Sequence, residues 1–301
     1  MSRVMLHAAL TAVVCSAAAG RIQAQATPDW SATDRALGRA GAAQPGGVHK
    51  FSFARSDLTV TLNGTRLRPA LALGSWLAFK PTSDGQSMAM GDLVLMENEV
   101  PGVLAALQKG GVEQTAMHNH LLNETPRVAY VHVMAKGDAA KIAQTVHDAL
   151  AGTKTPMTAP HAGTPLRLDL DTVAFATALG VTGKGNSGVY QVSVPRPETI
   201  RDGGEEIPPS MGVATAINVQ PTTSGRAVTT GDFVLLPSEV NAVIRALNSH
   251  GIAVTALHSH LMTEQPHVLF MHFWGDDDAM KLAHGLRAAL DATAMAKNGG
   301  K

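Results

Sequence analysis

Four histidines and one carboxylate fall within eighteen residues, Thr255 to His272, reading T-A-L-H-S-H-L-M-T-E-Q-P-H-V-L-F-M-H. They are His258, His260, His267, His272 and Glu264. The pattern also stands 140 positions earlier, from Thr115 to His132, as T-A-M-H-N-H-L-L-N-E-T-P-R-V-A-Y-V-H. His118, His120, Glu124, Pro126 and His132 match His258, His260, Glu264, Pro266 and His272 without a gap. Imidazole nitrogens bind zinc at about 2.0–2.1 Å and carboxylate oxygens at about 2.0–2.2 Å, so these side chains suit a divalent metal if they converge. The expected donors are therefore His118, His120, Glu124 and His132 in one set and His258, His260, Glu264, His267 and His272 in the other.

Convergence depends on the elements that carry them. Residues two apart on a strand share a face, roughly 6.5–7 Å apart, which would group His118 with His120 and His258 with His260. A hairpin pairing His118 with His132 would bring the third ring onto that face. The connection from Leu121 to Arg127 is long enough for Glu124 to fold back over the group, and Pro126 restricts that loop. An H-x-H pair alone is ordinary on a solvated strand. H-x-H-x3-E followed by a further histidine, kept in both copies while neighbours differ, is more specific. The copies are not equivalent, because His267 has Arg127 as its counterpart. Arg127 could hold an anion beside a metal, pair with Glu124, or simply be exposed.

Other chemistry-bearing residues have blander readings. Asp92 and Asp232 each follow a glycine at the expected start of a strand, where turn-capping is the simpler role. Glu99 and Glu239 fall in the first turn of a helix, where the macrodipole favours a carboxylate. Met88, Met90, Met117, Met134, Met262 and Met271 could offer soft ligands to copper, but methionine more commonly fills core gaps. His147 and His284 lie at non-matching helix positions and read as surface residues. No G-x-S-x-G elbow is present.

The repetition extends well beyond the histidines and decides the architecture. At the same offset Gly91-Asp92 matches Gly231-Asp232, Glu99-Val100 matches Glu239-Val240, and Asp138-Ala139 matches Asp278-Ala279. Two repeats are expected, 27–151 and 166–294, joined by a Pro/Gly/Thr-rich linker at 152–165 and followed by a flexible tail, 295–301. In the first, alternation predicts strands over Val48–Ala54, Leu58–Leu62, Leu71–Phe79 and Met88–Met96. Apolar spacing predicts helices over Ser31–Arg39, Asn98–Lys109 and from Asp138 to Leu150, with a hairpin of Val112–His120 and Val128–Met134 between the last two. Each repeat is thus expected to be α+β, an antiparallel sheet with helices on one face and a ferredoxin-like strand-helix-strand-strand-helix core.

The N-terminal residues resemble an export signal. Arg3 precedes an apolar run from Val4 to Gly20, and Ala24-Gln25-Ala26 fits a small-x-small cleavage site, so 1–26 would be removed. The run is short for a membrane span and is broken by His7, so no transmembrane segment is expected in the mature chain. The one cysteine, Cys15, lies inside this segment and follows Val14 rather than a small residue, which disfavours a lipid anchor. Without Cys15 there is neither disulfide nor thiolate, leaving oxygen and imidazole groups for any chemistry. The full chain has 24 Lys+Arg and 24 Asp+Glu; losing Arg3 and Arg21 leaves 22 against 24, a net of −2. Such a balance gives no reason to expect a nucleic acid as partner.

With these residues in view, the sequence resembles the LppY/LpqO-type family of exported bacterial proteins, an uncharacterised domain often present twice in one chain. Met90-Gly-Asp-Leu-Val-Leu95, Thr115 to Leu122, Glu124, Pro126, His132 and their second-half equivalents carry the likeness. It implies a periplasmic or secreted location and supplies no activity. H-x-H-x3-E is also similar to the first cupin motif, but a helix directly ahead of the strand does not suit an all-β barrel. The expected function is divalent-metal binding, zinc first, with copper or iron as alternatives. Two further readings stay open: a metal-dependent enzyme of the zinc-hydrolase or non-haem iron type acting on a small molecule, and a cell-envelope interaction module without metal.

Overall fold

A computed structural model describes residues 28–158, 166–223 and 225–295. The expected signal at 1–26, half of the linker and nearly all of the tail lie outside the described residues.

The first repeat runs α1 (Ser31–Leu37), β1 (Ala42–Gln44), β2 (Val48–Ala54), β3 (Thr61–Leu62), β4 (Thr65–Arg66), α2 (Pro69–Ala72), β5 (Gly74–Pro81), β6 (Ser87–Met96), α3 (Val100–Lys109), β7 (Glu113–His118), β8 (Val128–Gly137) and α4 (Ala139–Ala151). The second runs α5 (Thr172–Leu179), β9 (Lys184–Asn186), β10 (Val189–Pro195), β11 (Ile200–Asp202), β12 (Glu205–Ile207), a 3₁₀ turn at Pro209–Met211, β13 (Ala214–Pro221), β14 (Arg226–Leu235), α6 (Val240–Ser249), β15 (Ala253–His258), β16 (Leu269–Asp278) and α7 (Ala279–Asp291). Each repeat builds a six-stranded antiparallel sheet, in the orders β1-β2-β5-β6-β8-β7 and β15-β16-β14-β13-β10-β9. Within it β6, α3, β7, β8 and α4 form the expected ferredoxin-like core. The fold class is α+β, as the periodicity predicts. Among the described residues no helix is long and apolar enough to cross a membrane.

Period-2 alternation assigns each strand two faces. In the first repeat Ala89, Leu93 and Leu95 of β6 and Val131, Val133 and Ala135 of β8 pack with Val103, Leu107, Ile142 and Val146 of the helices. The second repeat does the same with Phe233, Leu235, Met271 and Phe273 against Val243, Leu247, Leu282 and Leu286. That leaves the opposite face of each sheet uncovered by its own helices. The other repeat covers it: one apolar cluster joins Val48, Ala78, Met88 and Met90 to Ile200, Met211, Val213 and Phe270. A second joins Leu62, Leu71, Val94 and Tyr130 to Val189, Val228 and Trp274. The result is helices, sheet, sheet, helices, with the histidine-bearing faces turned inward.

Polar ties hold the two sheets in register. The Gln220 amide accepts from Arg68 N at 2.8 Å and donates to Arg66 O at 2.9 Å. Gln191 donates to Ala70 O and Asn218 to Leu71 O. In the other direction Lys50 Nζ donates to Ser210 O at 3.0 Å and Lys80 Nζ to Glu206 O at 2.7 Å.

Several elements differ from expectation for local reasons. The Leu58–Leu62 strand shrinks to the two residues of β3, because the turn at Asn63-Gly64 (φ 50° and 81°) closes immediately on β4. The start of Leu71–Phe79 is helical instead, since Pro69 sets the first helical φ of α2. Helix α1 ends at Leu37, short of the expected Arg39, with Gly38 as its left-handed C-cap (φ 76°). Strand β7 stops at His118, two residues short. Asp138 does cap α4, its carboxylate accepting from Lys141 N.

Each repeat also buries one arginine against the carboxylate that opens its middle helix. Arg55 donates to Glu99 at 2.8 Å and to Val94 O. Arg196 does the same with Glu239 at 2.8 Å and Val234 O. Glu99 and Glu239 are thus structural, also accepting the amides of Met96 and Leu236. Removing one partner of a buried pair strands the other, at a cost of about 3–5 kcal/mol. Arg196→Ala should therefore lower the urea unfolding free energy by that amount, whereas Arg226→Ala, which breaks an exposed pair with Asp276, should cost about 0–1 kcal/mol. Equal effects from the two substitutions would contradict this assignment.

Candidate metal centre

The inward faces carry the cluster. On β6 and β8, Asp92 stands opposite His132, flanked by the pairs Met90–Met134 and Val94–Tyr130. On β14 and β16, Asp232 stands opposite His272, flanked by Thr230–Trp274 and Val234–Phe270. Strand β7 adds His118, opposite Tyr130, and β15 adds His258, opposite Phe270. The register thus differs by two residues from a His118–His132 pairing: Ala116, not His118, faces His132. A shift of two preserves the face, so His118 still points the same way as His132. His120 and His260 lie beyond the strand ends, in the loops, where His120 stacks on Tyr130 at 3.3 Å and His260 on Phe270 at 3.6 Å between ring centroids.

The rings then meet across the two repeats. His118 faces His258 at 3.6 Å, His120 faces His272 at 3.7 Å, and His132 faces His260 at 3.5 Å. Adding 140 to His120 and subtracting it from His272 turns His120·His272 into His260·His132, so the pairs obey an approximate two-fold relation with His118 and His258 astride the axis. Thr255 Oγ1, at 2.6 Å from His120 O, ties the second repeat to the loop of the first.

Two aspartates complete the group, and this corrects their expected role as turn caps. Asp92 is mid-strand and buried, with its carboxylate oxygens 3.9 Å from His120 Nε2 and 3.7 Å from His132 Nε2. Asp232 lies 3.8 Å from His272 Nδ1. These separations are too long for hydrogen bonds. A carboxylate at an inward position of an otherwise apolar alternating strand is the sequence signal that marks them. The glycines before them permit close strand approach: a Cβ on Gly91 would sit 2.7 Å from Trp76 O, and one on Gly231 would sit 1.9 Å from Ala216 O. Gly231 O also accepts from His272 Nδ1 at 3.0 Å, which fixes the proton there and turns the Nε2 lone pair to the cluster.

The remaining expected donors lie elsewhere. Glu264 Oε1 accepts from Val268 N at 3.0 Å and from His267 Nδ1 at 2.8 Å, and the His267 side chain is half exposed. Glu124 folds back in the same way toward Val128 N. Arg127 reaches Asn119 and Glu97 rather than Glu124. Among the described residues, four sets of side chains bring donor atoms within 4.8 Å of one another: His118/His132/His258/His260, His118/His120/His272, Asp92/His120/His132 and Asp232/His260/His272. Neither glutamate nor His267 belongs to any of them. The sets could hold a metal ion.

Over 31–152 and 173–292 the chain matches a family described as Domain of Unknown Function (DUF1259). The chain belongs to that family. It carries two tandem copies of this uncharacterised domain. Among curated proteins nothing matches. Among solved structures the chain is similar to a trimeric bacterial microcompartment shell protein, PduB, at 12% identity, covering 84% of this chain and 90% of that one with a TM-score of 0.21. At that score the likeness carries no argument.

Burial sets the electrostatics of the cluster. It pushes the His118 imidazole down to about 3 and His258 down to about 4. His120, His132, His260 and His272 are held well below the usual range by burial and then by neighbouring rings. Burial pushes the Asp92 carboxyl the other way, up to about 7, and raises Asp232 as well. Between roughly pH 4 and 6.5, unfolding lets six imidazoles take up protons and two carboxyls release them. The unfolded state therefore binds more protons in that window, and stability falls as pH falls. Chelator-treated protein should show a lower urea midpoint at pH 5 than at pH 7.5; an unchanged or higher midpoint would show that the rings are solvated.

Proposed function

We propose that the chain binds a divalent metal ion at the histidine cluster between its two repeats, zinc being the first expectation and copper or iron the alternatives. One observation carries this. Of fifteen buried side-chain nitrogens and oxygens that find no hydrogen-bond partner among the described residues, ten belong to the six clustered histidines and to Asp92 and Asp232. An unsatisfied buried polar atom costs about 1–3 kcal/mol, so ten would cost about 10–30 kcal/mol. A domain's net stability is only about 5–15 kcal/mol. These atoms thus call for a partner from outside the chain. An ion held at about 2.0–2.1 Å by several imidazoles satisfies up to four of them at once.

The donor set guides the choice of ion. Neutral imidazoles without thiolates suit zinc, copper, iron and nickel better than magnesium or calcium. Their depressed proton affinity leaves the lone pairs free at neutral pH. The burial of His132, His260 and His272 resembles a closed site more than one with an open coordination position, which favours metal retention over the metalloenzyme reading.

Elemental analysis of exhaustively dialysed protein tests the proposal. Wild type should retain stoichiometric metal. His132→Ala and His260→Ala, from different repeats, should each weaken binding by more than about tenfold, the loss that even outer-shell changes produce. Glu124→Gln should leave binding unchanged. Metal-free wild type that stays folded would mean that the cluster is filled by water and serves only as structure.

We also propose that the chain is exported and akin to the LppY/LpqO-type proteins, on the strength of Arg3, the apolar run to Gly20 and Ala24-Gln25-Ala26. Intact mass should show a mature form beginning at Thr27 in the extracytoplasmic fraction. A cytoplasmic chain still carrying Met1 to Ala26 would sink this second proposal and leave the first untouched.

A further inference from the structure

Resting on the metal-binding reading above, we propose that the cluster is a two-ion centre in which His118 and His258 lie between the ions as shared ligands. The repeat relation supplies the first argument. Adding 140 to the members of His118/His132/His258/His260, or subtracting it, gives His258/His272/His118/His120. Three of these four constitute a second donor set within 4.8 Å, His118/His120/His272. A site off the two-fold axis thus has a counterpart, and the two meet at His118 and His258.

Ring positions supply the second argument. At a metal–nitrogen distance of about 2.0–2.1 Å, two imidazoles at a tetrahedral angle have centroids about 5 Å apart. His118 lies 5.0 Å from His120, 5.0 Å from His132, 5.2 Å from His272 and 5.3 Å from His260. His258 lies 4.7 Å from His260 and 5.0 Å from His272. The shared rings therefore keep co-ligand spacing to both flanking pairs. The flanking pairs, His132·His260 and His120·His272, and the shared pair itself, His118·His258 at 3.6 Å, are in close ring contact, and all three must spread as the ions enter.

The third argument concerns protons. His118 and His258 are the two histidines of the cluster with both ring nitrogens buried and unpartnered. A neutral imidazole carries one N–H; among the described residues neither ring makes a geometrically good hydrogen bond for it, although the Asn119 backbone lies close enough to favour the His118 proton. Binding an ion through each nitrogen removes the need: the ring N–H proton passes to solvent, the imidazolate keeps the electron pair, and two metal–nitrogen bonds form. No oxidation is involved. The four positive charges of two divalent ions are then met by two imidazolates and the carboxylates of Asp92 and Asp232. Each of these carboxylates lies in a donor set with one flanking histidine from each site.

Native mass spectrometry of the full chain titrated with Zn²⁺, and electron paramagnetic resonance of the chain loaded with Cu²⁺, test this. Wild type should bind two ions. Its Cu²⁺ signal should rise to one equivalent and then collapse toward that of a coupled pair at two. His132→Ala and His120→Ala should each bind one ion. Wild type that binds no metal would overturn the underlying reading. Saturation at one ion would overturn only the two-ion centre. Two ions with additive, uncoupled Cu²⁺ signals would overturn the shared ligands, and that readout needs no variant to fold.

Discussion

An imidazole taken out of water without a partner destabilises the fold that buries it, and six are taken out together here. Nearly everything else follows from where they can be tolerated. They cannot sit on the helix-covered faces, which are filled with Phe, Leu and Val. Nor do they spread over the inward faces, which are apolar to either side of them. They gather at one place where two strand ends, two loops and two mid-strand aspartates from opposite repeats meet. Only there can a few atoms from outside the chain serve all of them.

That location explains the rest of the interface. Both faces of each sheet are apolar and so need cover, and each repeat has helices for one only. The short hairpins β3–β4 and β11–β12, helix α2 and the 3₁₀ turn at Pro209–Met211 fill the space around the cluster rather than within it. The side-chain amides of Gln191, Asn218 and Gln220 grip the backbone of 66–71, fixing the spacing of the sheets. Without that spacing, pairs of rings 3.5–3.7 Å apart could not be held, because no hydrogen bond links one ring to another.

Much of this was legible in the sequence, and the limits have physical causes. The 140-residue offset gave the duplicated architecture, because an unbroken match in spacing demands the same elements twice. Alternation through Met88–Met96 and Val128–Met134 gave the sheet, and the spacing after Glu99 and Asp138 gave the helices. The histidines were legible as a group, but not as a group spanning both copies: which sheet face lacks a helix is a tertiary property that period-2 patterns do not state. The aspartates were hidden by their preceding glycines, which read as turns yet mark close strand contact. Glu124 and Glu264 stand outside the four donor sets, because a loop carboxylate can turn back on a backbone amide at or just ahead of the next strand, here Val128 N and Val268 N. The expected export signal lies outside the described residues, so the structure adds nothing to it.

The ring pairing has the logic of a symmetric dimer compressed into one chain. In such an interface residue i meets j and j meets i, which is the relation between His120·His272 and His132·His260. A true dimer would force every position to serve both halves. A fused pair is free to keep the symmetric cluster while its surroundings diverge. His267 binds Glu264 where Arg127 reaches outward, and buried His49 pairs with Asp34 where Tyr190 instead accepts from Gly183 N. Lys50, lying over the Trp76 ring, stands where the second repeat has Gln191. Each ring of the cluster faces a ring of the other copy, so removing a histidine from one repeat opens space beside its counterpart in the other and takes a donor from any ion that both would hold.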